Sequence, residues 1–267
     1  MRGYLCYFKT KIINGLQYKS AAYAGISTQV FWGFLNCMLF IAFYSHVSAN
    51  VDISLRDLIT YVWLNQAFLK LIYMRVRDSE ISDSIKNGAV AYELCRPYDL
   101  YLWWYIKYLS EKYAAVLLRF IPIIVLGLLL PEPFKLQLPA SPLNFTLFFI
   151  TLLLGSLIIC GLLMIIQSIA FFTTESKGIS DILFVIADLF NGALLPLPLM
   201  PKIIQNIGMF LPFRLISDLS FRIYSGNIGI SSAVKSIELQ LIWLVVLVVI
   251  GELLMRKALK KVCIQGG

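Results

Sequence analysis

The side chains that usually perform catalysis or bind metals are few in this sequence and widely spaced. There is one histidine, His46, and the five cysteines form no Cys-x-x-Cys pair, so neither a zinc site nor a disulfide framework is indicated. The sequence contains no G-x-S-x-G or H-E-x-x-H motif, and the absence of a Gly-Lys dipeptide excludes a G-x-x-x-x-G-K-[ST] phosphate loop. We therefore expect no enzyme activity and no metal or cofactor bound by this chain.

Ionisable residues inside apolar tracts are the remaining candidates, because a charge in lipid is costly and is usually kept for function. Asp188 lies near the middle of one such tract and Asn191 follows one helical turn later, so both are predicted to line a translocation path or face a partner subunit. The alternative for Asp188 is a protonated carboxyl bonded to a neighbouring helix. Lys70 and Arg119 lie near tract ends, where long side chains reach the interface.

These residues must be positioned by helices in a membrane. Apolar residues make up 59% of the 267 residues and charged residues only 14%, against about 25% charged in soluble domains. Six tracts are long enough for membrane-spanning helices, each of which needs roughly 20 apolar residues. They are residues 22–44, 55–74, 113–130, 145–172, 179–199 and 237–255. The predicted fold is a single all-α, polytopic membrane domain over residues 1–267 with six transmembrane helices.

The net charge of +8 comes from Lys and Arg residues clustered at the ends of these tracts, so it signals topology rather than binding to nucleic acid. Most of them lie on one side if both termini are cytoplasmic. Residues 1–20 form a basic leader in which Leu5, Phe8, Ile12 and Leu16 recur at helical spacing. This pattern predicts an amphipathic interfacial helix, the alternative being a merely basic leader.

The longest predicted cytoplasmic connection, residues 75–112, is patterned rather than featureless. Asp78 can cap a short helix over residues 79–86, Gly88 can end it, and a second helix is predicted to begin near Asp99. The residues predicted to contact a cytosolic partner are Ile81, Ile85, Lys86, Gly88, Leu94, Arg96 and Pro97. A helix of this kind can dock in a groove of another protein, although the aromatic residues that follow it could equally form an interfacial belt.

Prolines interrupt the apolar run that follows the fifth predicted span. Residues 196–235 are predicted to form an external region whose gate contains Pro196, Pro198, Pro201 and Pro212. Because non-helical backbone at membrane depth must be covered by protein or water, short re-entrant helices are expected here. An ordinary proline-rich external loop is the alternative.

Two stretches resemble a known family. ISDSIKNGAVAYELCRPYDLY (residues 81–101) is similar to the cytoplasmic loop of type-2 permeases in ATP-binding-cassette exporters, and residues 194–227 resemble the external region of that family. With the leader and the six spans, the resemblance covers the whole chain.

The resemblance implies a permease subunit in a bacterial or archaeal plasma membrane that exports an amphipathic compound, a lipid or a glycan. The implied partners are a dimer of cytosolic ATPases that binds ATP and Mg²⁺, a second copy of the chain or a sister permease, and membrane lipid. The helix over residues 79–86 would be the coupling helix. An ion-coupled secondary transporter and a non-transporting membrane scaffold remain alternatives, because hydropathy is a weak test for the inverted repeats of the former.

Overall fold

The structure, a computed structural model, describes residues 2–17, 19–46, 52–75, 80–173 and 177–260. Across these residues the fold is all-helical and no strand is present. The helices are α1 (Arg2–Gln17), α2 (Lys19–His46), α3 (Leu55–Ile72), α4 (Glu80–Lys86), α5 (Val90–Leu94), α6 (Leu100–Leu117), α7 (Phe120–Leu129), α8 (Pro142–Ala170), α9 (Lys177–Phe190), α10 (Lys202–Phe210), α11 (Asp218–Tyr224) and α12 (Ile230–Leu259). Two short 3-10 helices cover Leu197–Leu199 and Phe213–Leu215.

Several helices begin where a short polar side chain can accept a hydrogen bond from a free backbone amide. Ser54 accepts from the Asp57 amide at the start of α3, and Ser141 accepts from the Asn144 amide at the start of α8. Asp99 accepts from the Leu102 amide at 2.7 Å, so the prediction that a helix begins near Asp99 is confirmed. The predicted cap Asp78 lies outside the described residues.

Only four helical segments in the described part of the chain are long and apolar enough to cross a membrane: Ser20–His46, Leu100–Leu129, Pro142–Ala170 and Ile230–Leu259. The six-span prediction is therefore not confirmed. The helical segment that contains the third predicted tract begins at Leu100 rather than at residue 113. The tract predicted over residues 179–199 contains a helix of only 14 residues, α9, which ends at Phe190. α3 has charged residues near both ends, Arg56, Asp57 and Lys70.

The segment Leu100–Leu129 consists of α6 and α7 with a turn at Leu118 and Arg119. Pro122 explains the interruption, because proline has no amide hydrogen to donate to the carbonyl four residues earlier. α1 packs along α6 in the same chain direction: Lys11 lies 3.6 Å from Glu111, and Gly15 lies against Ala114. The helix predicted in the leader is therefore present, and one side of it contacts protein.

The molecule has two ends that are linked by the long helices. We call one the distal end; here residues 130–141 and 191–229 surround the start of α3. The Trp63 indole donates to the Phe134 carbonyl at 2.8 Å, the Gln137 amide donates to Thr60 Oγ1 at 3.0 Å, and Lys202 pairs with Asp52. At the opposite end, α4 and α5 contact α6 and α8. We call residues 80–99 the elbow.

α3 and α8 form the centre of the bundle. Side chains of α3 are buried on every face from Leu58 to Phe68, because other helices surround it. α8 packs against α12 in the same chain direction, and the Ser168 hydroxyl donates to the Gly251 carbonyl at 3.3 Å. α8 thus connects the elbow to α12 and to the distal end through packed helices.

Candidate coupling elbow and distal polar cluster

The first elbow helix, α4, is held to the bundle by its inward side. Ile81 is 3% exposed in the hydrophobic core, and the half-buried Ile85 packs against that core. The Ser82 hydroxyl donates to Gln167 Oε1 of α8 at 3.3 Å, and the Gln167 amide donates to the Tyr108 hydroxyl of α6 at 2.6 Å. A helix of seven residues is too short to be stable alone, so these contacts hold it in place.

A charged pair reinforces this attachment. Lys107 of α6 lies 2.5 Å from Glu80, the first residue of α4, and the Lys107 side chain is 8% exposed. The hydrogen bond from Lys107 lowers the pKa of the Glu80 carboxyl below its ordinary value, which favours the charged carboxylate in this contact.

The second elbow helix, α5, is attached through Glu93 and Val90. The Trp104 indole of α6 donates to Glu93 Oε2 at 2.6 Å, and Val90 is buried. The Trp104 ring also stacks on Phe171 at the end of α8, with 5.9 Å between the ring centroids. α5 is therefore joined to α6 directly and to α8 through one aromatic pair.

The outward side of the elbow carries most of the residues predicted to contact a partner. Exposed side chains or backbone are found at Lys86, Gly88, Leu94, Arg96 and Pro97, and also at Tyr92, which was not predicted. We call these six residues the elbow surface. Tyr92 is 78% exposed and is the most exposed large hydrophobic side chain of the elbow. A five-residue helix offers too little periodicity for the sequence to reveal which side faces outward.

Ile81 and Ile85 were predicted to contact a partner, but the structure turns both toward the protein's own core. The physical reason is that α4 buries its one apolar side against α8. Gly88 has φ +71° in the left-handed region and follows the last turn of α4, as predicted for the residue that ends this helix.

The structure places Asp188 and Asn191 in different surroundings. Asn191 is fully buried just after α9: its side-chain oxygen accepts from the Ala193 amide at 2.8 Å, and its carbonyl accepts from the Ser217 hydroxyl at 2.7 Å. These contacts shape the turn at the end of α9. Asp188 is half-buried, and its Oδ1 has no hydrogen-bond partner among the described residues.

A buried polar cluster joins α3, the turn after α9 and α11 at the distal end. The Tyr61 hydroxyl lies 3.1 Å from the Gly192 carbonyl and 3.3 Å from Asp218 Oδ1, while the Asn65 amide donates to the same Gly192 carbonyl at 3.3 Å. Asp218 Oδ2 lies 3.4 Å from Arg222 Nη1. We call Tyr61, Asn65, Gly192, Asp218 and Arg222 the distal cluster.

Burial dominates the electrostatics of this cluster. It raises the pKa of the Asp218 carboxyl, and the nearby Arg222 guanidinium opposes that rise. Asp218 also accepts a hydrogen bond from the Leu197 amide, so its carboxyl fixes the first 3-10 helix. Sequence reasoning missed this cluster because Tyr61 and Asp218 are 157 positions apart.

The four predicted gate prolines all lie at or inside the start of a short helix of the distal end. Pro196, Pro201 and Pro212 immediately precede helices, and Pro198 lies within the first 3-10 helix. Proline suits these positions because the first amides of a helix have no intrahelical acceptor. Pro201 is exposed, and the other three are buried.

No group of three or more His, Cys, Asp or Glu side chains within the described ranges is arranged to hold a metal ion. The described cysteines, Cys6, Cys37, Cys95 and Cys160, are free, and Cys263 lies outside those ranges.

The sequence matches the model of a protein family described as "ABC-2 family transporter protein" over residues 30–266. The matched region begins within α2 and includes both the elbow and the distal end. No curated protein matches the chain.

Proposed function

The chain belongs to the ABC-2 family of transporter proteins, and from this premise we propose that it is the permease subunit of an ATP-binding-cassette exporter. The subunit moves an amphipathic compound, a lipid or a glycan out of the cytoplasm. The energy comes from ATP that is hydrolysed, with Mg²⁺, by a separate ATPase dimer. The family match carries this proposal, since membership in the family implies association with an ATP-binding-cassette partner.

In the proposed complex the ATPase binds the elbow surface. Its centre is Tyr92, with Leu94 and Arg96 beside it in sequence, and interface energy usually concentrates on aromatic and arginine side chains of this kind. Ile81 and Ile85 act behind that surface as anchors.

Through Ile81, Ile85 and the polar contacts of α4, a movement of the elbow can be transmitted to the helical bundle. A displacement of α4 acts on α8 through Ser82 and Gln167, and on α6 through Glu80 and Lys107. Because packed helices transmit displacement with little compression, we propose rigid-body rocking of α6 and α8 when the ATPases close. A path between two permease copies then opens outward.

For the topology we propose both termini in the cytoplasm of a bacterial or archaeal cell and six crossings, with α3 and α9 as the two beyond the four apolar segments. Contacts at both ends of α3 support this: Thr60 lies at the distal end, and the Tyr73 carbonyl accepts from Lys112 near the elbow. α3 tolerates its polar residues because protein surrounds it. The distal end then lies outside the cell, where its short helices form the external gate.

The first test is association with the cognate ATPase. Tyr92→Asp and Leu94→Asp are each expected to reduce co-purification of the ATPase by about tenfold, because each places a carboxylate in the contact. Leu138→Asp is the matched control, since Leu138 is 74% exposed at the distal end. Equal co-purification by all three variants would contradict the elbow assignment.

The second test is transport in inverted vesicles that contain both subunits, with a fluorescent phospholipid, an amphipathic dye and a lipid-linked glycan as probes. We expect ATP-dependent accumulation of at least one probe. Accumulation that an ion gradient drives without the ATPase would instead identify a secondary transporter. Absence of accumulation for every probe, together with absence of ATPase association, would identify a scaffold.

A further inference from the structure

A cavity of about 390 Å³ lies where α1, α2 and α6 meet, and none of its lining residues belongs to the elbow surface or the distal cluster. Small residues, including Gly15, Ala22 and Ala115, leave the space open between the helices. The polar part of its lining consists of Lys11, Asn14, Glu111 and Arg119. The volume falls within the usual range for small-molecule sites, which is about 300 to 1,000 Å³.

The cavity has more positive than negative charge. Lys11 lies 3.6 Å from Glu111, whereas Arg119 has no acidic side chain within salt-bridge distance among the residues described. One guanidinium nitrogen of Arg119 donates to the Ala21 carbonyl at 3.3 Å. A partly buried guanidinium whose partner is only a carbonyl has no counter-charge. An anion with several oxygen atoms can neutralise that charge and accept the remaining hydrogen bonds.

The surroundings of Arg119 indicate that the anion carries an apolar chain. The rest of the lining is apolar and comes from Ala21 and Ala22 of α2 and from Ala114, Ala115 and Leu118, which precede Arg119. Lys11 lies at the elbow side of this lining, because it pairs with Glu111 eight positions before Arg119 in the same helical segment. The two cations thus adjoin an apolar surface, which suits a ligand that combines an anionic headgroup with an apolar chain.

We infer that the cavity binds an acidic phospholipid, with the phosphate at Arg119 and Lys11 and the start of an acyl chain against the apolar lining. The bound lipid holds α1 against α6. This inference requires only that the chain crosses a membrane. It uses no residue of the elbow surface, so it can fail while the exporter proposal holds, and the reverse is also true.

The test uses the purified full chain in a neutral detergent and measures retained lipid by native mass spectrometry. The probes are phosphatidylglycerol, phosphatidylcholine and inorganic phosphate. We expect retention of phosphatidylglycerol over phosphatidylcholine. Arg119→Gln should weaken this retention by about tenfold and Lys11→Gln by about fivefold, because each removes one phosphate partner. Lys9→Gln is the control, since exposed Lys9 also lies on α1 but does not line the cavity.

A second variant keeps the test decisive if Arg119→Gln does not fold. Ala115→Leu retains both cations and fills the cavity with methyl groups, so it should also reduce retention by about tenfold. Circular dichroism and gel filtration report on folding, and ATPase co-purification reports independently on the proposed function. Equal retention of both lipids, or equal retention by all variants, would overturn the inference. Displacement of the lipid by millimolar inorganic phosphate would show that the site takes free phosphate instead.

Discussion

Gly192→Ala is the most informative single change at the distal cluster. Gly192 has φ +78°, and a Cβ atom built on it would lie 1.9 Å from the Tyr61 hydroxyl oxygen. The left-handed backbone costs an L-residue about 1 to 2 kcal/mol. Displacing the Tyr61 hydroxyl also weakens two buried hydrogen-bond contacts, at about 1 kcal/mol each. The expected loss of unfolding free energy is therefore about 3 kcal/mol.

The measurement is the apparent melting temperature of the detergent-solubilised chain, followed by helical circular dichroism. For a chain of this size, about 3 kcal/mol corresponds to a decrease of roughly 6 to 12 °C. Gly88→Ala is the matched control: Gly88 also has a positive φ, +71°, but a Cβ atom there meets nothing within 4 Å. It reports the backbone cost alone, so its decrease should be about half as large or less.

A double-mutant cycle with Tyr61→Phe separates the steric contribution from the loss of hydrogen bonds. Removing the hydroxyl also removes the closest contact of the new methyl group, which leaves the Tyr61 ring carbon at 3.1 Å. Gly192→Ala should therefore cost about 1 to 2 kcal/mol less in the Tyr61→Phe background. Additive effects, or equal decreases for Gly192→Ala and Gly88→Ala, would refute the proposed packing of Tyr61 on the turn.

Three further predictions concern packing, coupling and pH. Gly15→Leu should lower the unfolding free energy by about 1 to 3 kcal/mol, because a Cβ atom at this position would lie 2.7 Å from a side chain of α6. Gly3→Leu is the control: a Cβ atom there meets nothing within 4 Å, so thermal melting should show no change. Gln167→Leu removes the hydrogen-bonded link between α4 and α6, so transport per ATP hydrolysed should decrease while ATPase co-purification is unchanged; a proportional decrease in both would contradict the anchoring role. Because burial raises the pKa of Asp218 in the folded state, the unfolded state releases this proton first, and stability decreases as pH rises from about 4 toward the folded pKa. The melting temperature of Asp218→Asn minus that of the native chain should therefore increase over that pH interval. A difference that decreases with pH would contradict the burial of a partly compensated carboxyl.

The elbow illustrates how far local sequence information reaches. The start of α6 at Asp99 and the end of α4 before Gly88 were predictable, because capping and left-handed termination depend on residues within one helical turn. The direction of Ile81 was not. An isoleucine on a short amphipathic helix can face a partner or its own protein, and only the position of α8 decides between the two.

The membrane-spanning segments also separate what the sequence predicts from what only the tertiary structure reveals. Hydropathy found the apolar tracts, but the helix that leads into the third tract begins 13 residues earlier, at Leu100, and includes polar residues such as Lys107 and Lys112. Both lysines are buried because they pair with Glu80 of the elbow and the Tyr73 carbonyl. Partners distant in sequence make those positions tolerable inside a helical bundle.

The sequence alone determined that this chain is helical and suited to a lipid environment, through its composition, apolar periodicity and helix-end residues. The sequence also contains no nucleotide-binding loop and no catalytic motif among those considered. Only the tertiary structure decided which side of the elbow is free, that Asn191 shapes a buried turn, and that Tyr61, Gly192 and Asp218 meet at the distal end. The reason is physical: helix formation and burial in lipid depend on neighbouring residues, whereas the partner of a buried polar group is set by where distant helices cross.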